Sequence, residues 1–435
     1  MSAEPAPAVS LSAKAKPEIP DSSGSVMESL SATSPNASAE RSPLLPGLTH
    51  APRLAMTTEG ARSLLHAWEN TDHGGTPRKA AAAADFYLPF LPEIDRNSTP
   101  YVALWEKGGV PDGILIGRLG NRRPLVRIGK WQFPMPRLRT LNITEGGLEA
   151  RSSETAERQA EYLRRLLADG DLDCISVFRI PGDTEIGGIL ASGLRSPGDG
   201  NPETIGRWFT ELNDRNGRPI VSYSSKALRN FRRKDRKLVS AFDGAVDVIE
   251  LRGPGQINGF ISTAAKICAA SYQQCIGVGI QDNGWWNRML GIHAENGNLR
   301  CYLLEAGGEP IAYLAGPVVG GTFTMMATSF LPKFRTLAPG CYLLRRVIER
   351  LQLEGVRWID YGVGDYRYKK LHGTWRRDVA TLNLYAPSPI GKAAQFLDTI
   401  VKRLNRALYR TLEHRGWLER IRHQRRQLGQ RRKSS

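Results

Sequence analysis

The sequence predicts an α/β (α+β) chain built as two related halves, on three observations. Its 435 residues exceed one ordinary domain, and 41% hydrophobic content with nine Trp is enough for a sizeable core. Two stretches read as hairpins, YVALWEKGGVPDGILIGRL turning at Gly108 and Gly109 and LRCYLLEAGGEPIAYLAG turning at Gly307 and Gly308. Around each hairpin the same order recurs: helices, hairpin, further strand, helix, strand. The halves share this order rather than residue identity, and the reading is a degenerate duplication.

The elements follow from periodicity and turn residues. Residues 1–50 hold seven Pro and eleven Ser with little apolar periodicity, so a disordered leader is expected at 1–52. The first half is placed at 53–215. Helical spacing runs from Glu59 to Glu69 and from Arg78 to Phe90. After the hairpin come a helix near Glu154 to Ala168, a buried strand LDCISVFRI (172–180) and a short helix from Thr184 to Ala191. The second half is placed at 216–388. A basic helix (Ser225 to Val239) leads into the strand AVDVIEL (245–251), then helices from Ile257 to Ser271 and Trp285 to Ala294. Beyond the second hairpin, TFTMMATSF (322–330) extends the sheet, Pro339 and Gly340 open a helix through Leu351, and VRWIDYG (356–362) and VATLNLYA (379–386) are strands. A basic helix and tail are placed at 389–435.

Charge and cysteine usage narrow the function classes. The formal charge is +17, but it is concentrated. Residues 226–237 carry seven Lys/Arg against one Asp, and residues 402–435 carry twelve against two Glu. The rest is close to neutral, which argues against a uniformly basic nucleic-acid binder. No apolar run reaches the roughly 18–20 residues of a membrane-spanning helix, and the first residues lack the apolar block of a secretory signal. A cytoplasmic protein is expected. The five cysteines are scattered and show no metal spacing, and no GxSxG motif suggests a hydrolase.

The stretches SKALRNFRRKDRKL, EAGGEPIAYLAG, FRTLAPGCYLLRRVIERLQLEGVRWIDYGVGDYRYKKLHG and VATLNLYAP, within residues 222–388, resemble GNAT-superfamily acetyltransferases of the cellulose and exopolysaccharide-biosynthesis (CelD-like) type. Fem-type aminoacyl transferases are structural cousins of that family. The resemblance implies GNAT-like mixed sheets flanked by helices in two tandem halves. It also implies acetyl-CoA or another acyl-CoA as co-substrate and an amine or hydroxyl of a sugar or polysaccharide precursor as acceptor.

A GNAT-type donor site needs a helix N-terminus for the pyrophosphate and splayed strands whose backbone takes the pantetheine arm as an added strand. Pro339 and Gly340 start an amphipathic helix, with Lys333 and Arg335 upstream as phosphate partners. The gap is expected between residues 322–329 and 357–362, with Met326 and Ser329 at the donor; core packing is the other reading of the methionines. The segment IDYGVGDYRYKKLHG is the densest supply of acid–base groups. Asp360 is the candidate base, with a pKa raised in a dry cleft, or else a cap bonding loop amides. Asp365 follows it; Tyr361 or Tyr368 is the candidate acid, Lys369 a holder of oxyanion or phosphate, and His372 a further acid or base.

On the basic helix, Arg229, Arg232, Arg233 and Arg236 are expected to meet a phosphate-rich or acidic acceptor, while Leu228, Phe231, Leu238 and Val239 face the core. The tail suits an anionic membrane surface, peripheral to its inner face, or a docked helix. Nucleic acid is the less favoured partner. The alternatives to an acyl-CoA enzyme are a Fem-like transferase using aminoacyl-tRNA and a non-catalytic scaffold binding a polysaccharide or synthase. No metal is expected.

Overall fold

The computed structural model describes residues 51–71, 77–122, 125–128, 131–134, 137–194, 203–220, 223–271 and 279–414. All but the last two residues of the expected leader, and the tail beyond 414, lie outside the described residues.

The chain opens with β1 (Arg53–Ala55), α1 (Thr58–Glu69) and α2 (Ala84–Ile94). The Thr57 hydroxyl caps α1 by accepting the Gly60 amide at 3.2 Å, and Leu64, Leu65 and Trp68 form its buried face. The helix expected from Arg78 starts later. Lys79 is extended, Ala80–Ala82 form a 3-10 turn, and extended Ala83 precedes α2. The hairpin β2 (Thr99–Lys107) and β3 (Val110–Arg122) follows, then the small pair β4 (Leu125–Ile128) and β5 (Trp131–Pro134). The half continues through β6 (Leu138–Ala150), α3 (Ser153–Ala168), β7 (Cys174–Pro181), α4 (Glu185–Gly193) and β8 (Thr204–Glu211).

The second half repeats the pattern. It runs α5 (Ser225–Ser240), β9 (Val246–Leu251), α6 (Ile257–Ala270), α7 (Gly284–Glu295), β10 (Leu299–Ala306), β11 (Glu309–Val319), β12 (Thr322–Thr324) and β13 (Ala327–Phe330). Then come α8 (Pro339–Leu353), β14 (Trp358–Val363), α9 (Arg367–His372), β15 (Trp375–Tyr385) and α10 (Pro389–His414).

All strands but β4 and β5 join one 13-stranded sheet in the order β1-β2-β3-β6-β7-β15-β8-β14-β12-β11-β10-β9, with β13 on β11. With β8 matched to β15, the order reads alike from both ends. The two central strands are exchanged: β15, from the end of the chain, sits between β7 and β8, and β8 sits between β15 and β14. Only β6–β7 and β12–β14 are parallel among the described pairings. Helices cover both faces. A core under α3 and α4 and another around α8 are matched by cores under α1–α2 and α6–α7. This is the mixed α/β fold the sequence predicts, with the halves fused through a shared centre. No described helix is long and apolar enough to cross a membrane.

One break in the sheet positions the site. β12 pairs with β14 from Thr322↔Trp358 to Thr324↔Asp360, and the Met325 amide still reaches the Asp360 carbonyl at 2.9 Å. The Met326 amide then turns to the Ala315 carbonyl at 3.0 Å, and β13 continues on β11 alone. The strands therefore part after Asp360. Gly316 makes the turn-off feasible, because a Cβ there would lie 1.9 Å from the Thr324 carbonyl oxygen. Gly316→Ala is expected to lower stability by about 1–3 kcal/mol, read by urea unfolding.

Candidate active site

Alternation along β14 sends Ile359 and Tyr361 into the core around α8 and Asp360 to the opposite face. There the Asp360 carboxylate is fully buried within an ion cluster. Arg207 of β8 binds it with Nε at 2.8 and 2.9 Å and Nη2 at 2.5 Å. Lys79, from the extended segment before the alanine turn, reaches it at 2.8 Å. The Gly362 amide donates to Oδ1 at 2.9 Å, where the register of β14 against β8 shifts. Arg207 is shared with Glu145 of β6, which also binds Arg179 of β7 at 2.6 Å.

Three segments of chain thus meet at one carboxylate, with β6 and β7 tied in through Glu145. Burial alone would raise its pKa, but Arg207 and Lys79 outweigh that and hold it well below the usual carboxylate range. The raised pKa expected for a base at Asp360 is not what the structure shows, and the carboxylate bonds an amide and two cations instead.

Lys369, on α9, is 4% exposed, and its Nζ donates to the Val363 carbonyl at 2.6 Å. It lies over the Tyr366 and Tyr368 rings, 5.3 and 6.0 Å from their centroids. Burial pulls its pKa down to about 7; Asp360 opposes the shift, and Arg207 and Arg179 reinforce it. Lys79 falls to about 8, burial again first. Cations also outnumber anions here: Lys79, Arg179, Arg207 and Lys369 face Asp360 and Glu145, all of them buried or half-buried. Such a site favours an uncharged amine and a developing negative charge.

The other expected residues divide into groups. Asp365 is exposed and holds the Trp208 indole at 2.8 Å and Arg376 Nε at 3.2 Å, outside the buried cluster. Tyr361 is buried with its hydroxyl on Thr210 at 3.2 Å, while Tyr368 is half-buried. His372 is buried against Phe231, with Nδ1 2.9 Å from the Tyr223 hydroxyl; burial lowers its pKa to about 4.

On the donor side, Met326 sits where the strands part and Ser329 on β13 is buried. Gly340 packs under Phe330, its Cβ position 3.3 Å from the ring. A 3-10 turn, Pro332–Leu337, carries exposed Arg335 up to the start of α8, where Ala338 adopts φ 54°. The helix end is less open than the sequence suggests. Pro339 has no N–H, and the Cys341 and Tyr342 amides close back on the Ala338 carbonyl at 3.1 and 3.2 Å. That leaves the Gly340 amide without a backbone bond among the described residues. Lys333 is drawn off by Glu309 at 2.7 Å.

Helix α5 lies against the same 3-10 turn, with Lys237 Nζ 3.4 Å from the Thr336 carbonyl. Arg229, Arg232, Arg233 and Arg236 are exposed along it. Phe231 and Leu238 are buried, but Leu228, expected in the core, is 39% exposed. No group of three or more His, Cys, Asp or Glu among the described residues would hold a metal.

Sequence reasoning missed Lys79, Glu145, Arg179 and Arg207. The one local signal was Arg207 beside the apolar Ile205, Trp208 and Phe209 of TIGRWFTE. The contacts themselves join residues 153 and 281 positions apart.

Residues 225–370 match the acetyltransferase (GNAT) domain family. No curated protein sequence matches the chain. Among solved structures, FemX superposes with a TM-score of 0.52 at 8% identity, over 78% of this chain and 98% of its own. At this identity the likeness is one of fold. The C-terminal domain of a putative lysylphosphatidylglycerol synthetase from Agrobacterium fabrum gives 0.44 at 10% identity, over 79% and 97% of the two chains. A tandem GNAT protein from the clavulanic acid biosynthesis pathway gives 0.42 at 11%, over 78% and 98%.

Two predictions follow from the cluster. Asp360→Asn leaves Arg207 and Lys79 buried against a neutral amide and is expected to cost about 3–5 kcal/mol in urea unfolding. Lys369 behaves oppositely with pH. Its folded pKa of about 7 lies below the unfolded value of about 10.4, so burying the charge costs most below pH 7 and the cost vanishes as pH rises through that window. Wild type should therefore gain stability between those limits, and Lys369→Met should gain less, measured by denaturation at a series of pH values.

Proposed function

We propose that the chain is an acyltransferase whose donor lies between β13 and β14. The observation that carries this reading is the parting of the two strands after Thr324 and Asp360, beside the start of α8. β13 bonds β11 along one side, and an extended amide-bearing arm would add along its other side as a further strand. The Gly340 amide and the Arg335 guanidinium suit the phosphates of an acyl-CoA at the other end. Such a donor supplies an acyl group activated as a thioester.

The chain's own groups then divide the proton work. Lys369, unprotonated in part at neutral pH, accepts at Nζ the proton that the acceptor amine or hydroxyl loses. The surplus of cations around Asp360 favours negative charge on the acyl oxygen. Tyr368, half-buried beside Lys369, donates a proton to the departing sulfur in this reading. Asp360 is a positioning residue: it holds Arg207 and Lys79 in place and stays ionised. A sugar or polysaccharide-precursor acceptor is supported by the CelD-like resemblance of the sequence.

A second reading has a specific observation behind it. Six exposed cations line α5, Lys226, Arg229, Arg232, Arg233, Arg236 and Lys237, and the last of them reaches the turn that leads into α8. A donor carried on RNA would use them all, whereas coenzyme A has few phosphates to offer. Calorimetric titration with acetyl-CoA, longer acyl-CoAs and CoA alone tests the first reading. Binding of an acyl-CoA supports it; silence toward all three, with salt-sensitive binding of aminoacylated RNA, moves the donor to the second.

With a donor in hand, Lys369→Arg is expected to lower kcat by roughly 10²–10⁴ while donor binding persists, since a guanidinium does not give up its proton. The rise in rate through about pH 7 should vanish with it. A wild-type rate that falls through that pH would instead make the charged ammonium the active form.

A further inference from the structure

Helix α10 packs on β4 and β15 and keeps most of its described apolar side chains outward. Of its described side chains only Gly391 and Ala394 are buried, the latter against Leu138 and Cys174. Ile390, Phe396, Leu397 and Leu404 are exposed, Phe396 by 65%. At about 100° per residue, Ile390, Leu397 and Leu404 fall on one line, and Ala393, Phe396 and Ile400 lie beside it, on the side away from Ala394. Lys392 and Arg403 are exposed on the flank beyond Phe396, and Lys402 lies further round. An unspent apolar stripe bordered by cations is the pattern of a helix that lies in the plane of a membrane surface.

We propose that α10 docks the protein onto an anionic phospholipid bilayer, with Phe396, Leu397 and Leu404 entering the acyl boundary and the flanking cations meeting lipid phosphates. Charge decides between occupants. From 389 to 414 the helix holds five Lys/Arg against two acidic residues, and twelve Lys/Arg against two Glu lie between 402 and the end of the chain. A second copy of α10 would bring like charges together, whereas anionic headgroups neutralise them. The apolar face is also wider than the two-position seam of a coiled coil, because Phe396 and Ile400 stand well off the Ile390–Leu397–Leu404 line. The proposal is independent of the donor reading.

The test is sedimentation of the full chain with vesicles of phosphatidylglycerol in phosphatidylcholine, against phosphatidylcholine alone. Binding is expected to the anionic vesicles only and to weaken with salt. The double variant F396S/L397S keeps every charge and removes only exposed side chains, so its melting temperature should match wild type. Its partition is expected to fall on the order of tenfold or more. Unchanged partition would show that the charged tail alone binds and would overturn the docking of α10. So would equal binding to both vesicles, no binding, or a lipid-free dimer by sedimentation velocity that the variant dissolves.

Discussion

The Asp360 carboxylate has no contact with water, and its charge is balanced by two cations that the chain delivers from far away. Lys79 comes from the segment between α1 and α2, and Arg207 from the last strand of the first half. Around them the exchanged strands β8 and β15 fill the middle of the sheet. A buried carboxylate of this kind adds little net stability, because desolvation offsets the attraction, but losing one partner strands the others. Its value is in specifying geometry. The bond from the Gly362 amide to Asp360 fixes the course of β14 just where β12 leaves it, and burial, reinforced by Arg207 and Arg179, sets the character of Lys369.

The same cluster explains why the two halves differ. In the first half β6 and β7 also run parallel, from Thr140↔Cys174 to Ile143↔Val177, and then stop pairing. Beyond that point Glu145 and Arg179 tie the strands together across the opening. Lys79 and Ala82 close over Gly146, where a Cβ would come within 2.6 Å of the Lys79 side chain. The segment that seals the first opening is the one that reaches Asp360 beside the second. The repeated scaffold thus differs at its two openings: the first is tied shut by its own chain, and at the second the strands part after Asp360.

Much of the fold was legible. The helices at Glu59, Glu154, Ser225 and Pro339 and both hairpins follow from apolar spacing and paired glycines, which are local properties. The strands β6 and β8 were not read. Gly146 and Gly147 interrupt the alternation in LRTLNITEGGLEA, and Gly206 with Arg207 interrupts it in TIGRWFTE. Their identity as strands comes from the neighbours they pair with, β3 and β7 for β6 and the distant β14 and β15 for β8. The site shows the same division. Pro339, Gly340, Lys369 and the α5 arginines can be named from composition and spacing. The role of Asp360 cannot, because it depends on Lys79 and Arg207, and without those partners a lone aspartate at a strand end looks like a base. Lys79 was hidden further by the alanines after it, whose helix propensity suggested a helix through a residue that is extended.

A crystal structure with bound coenzyme A or a stable acyl-CoA analogue examines the opening between β13 and β14 most directly. The predicted result is an extended arm bonded to the backbone of residues 326–330, phosphates at Gly340 and Arg335, and the sulfur within reach of Tyr368 and Lys369. A ligand bound elsewhere, or β13 and β14 closed on each other with the ligand present, would contradict it.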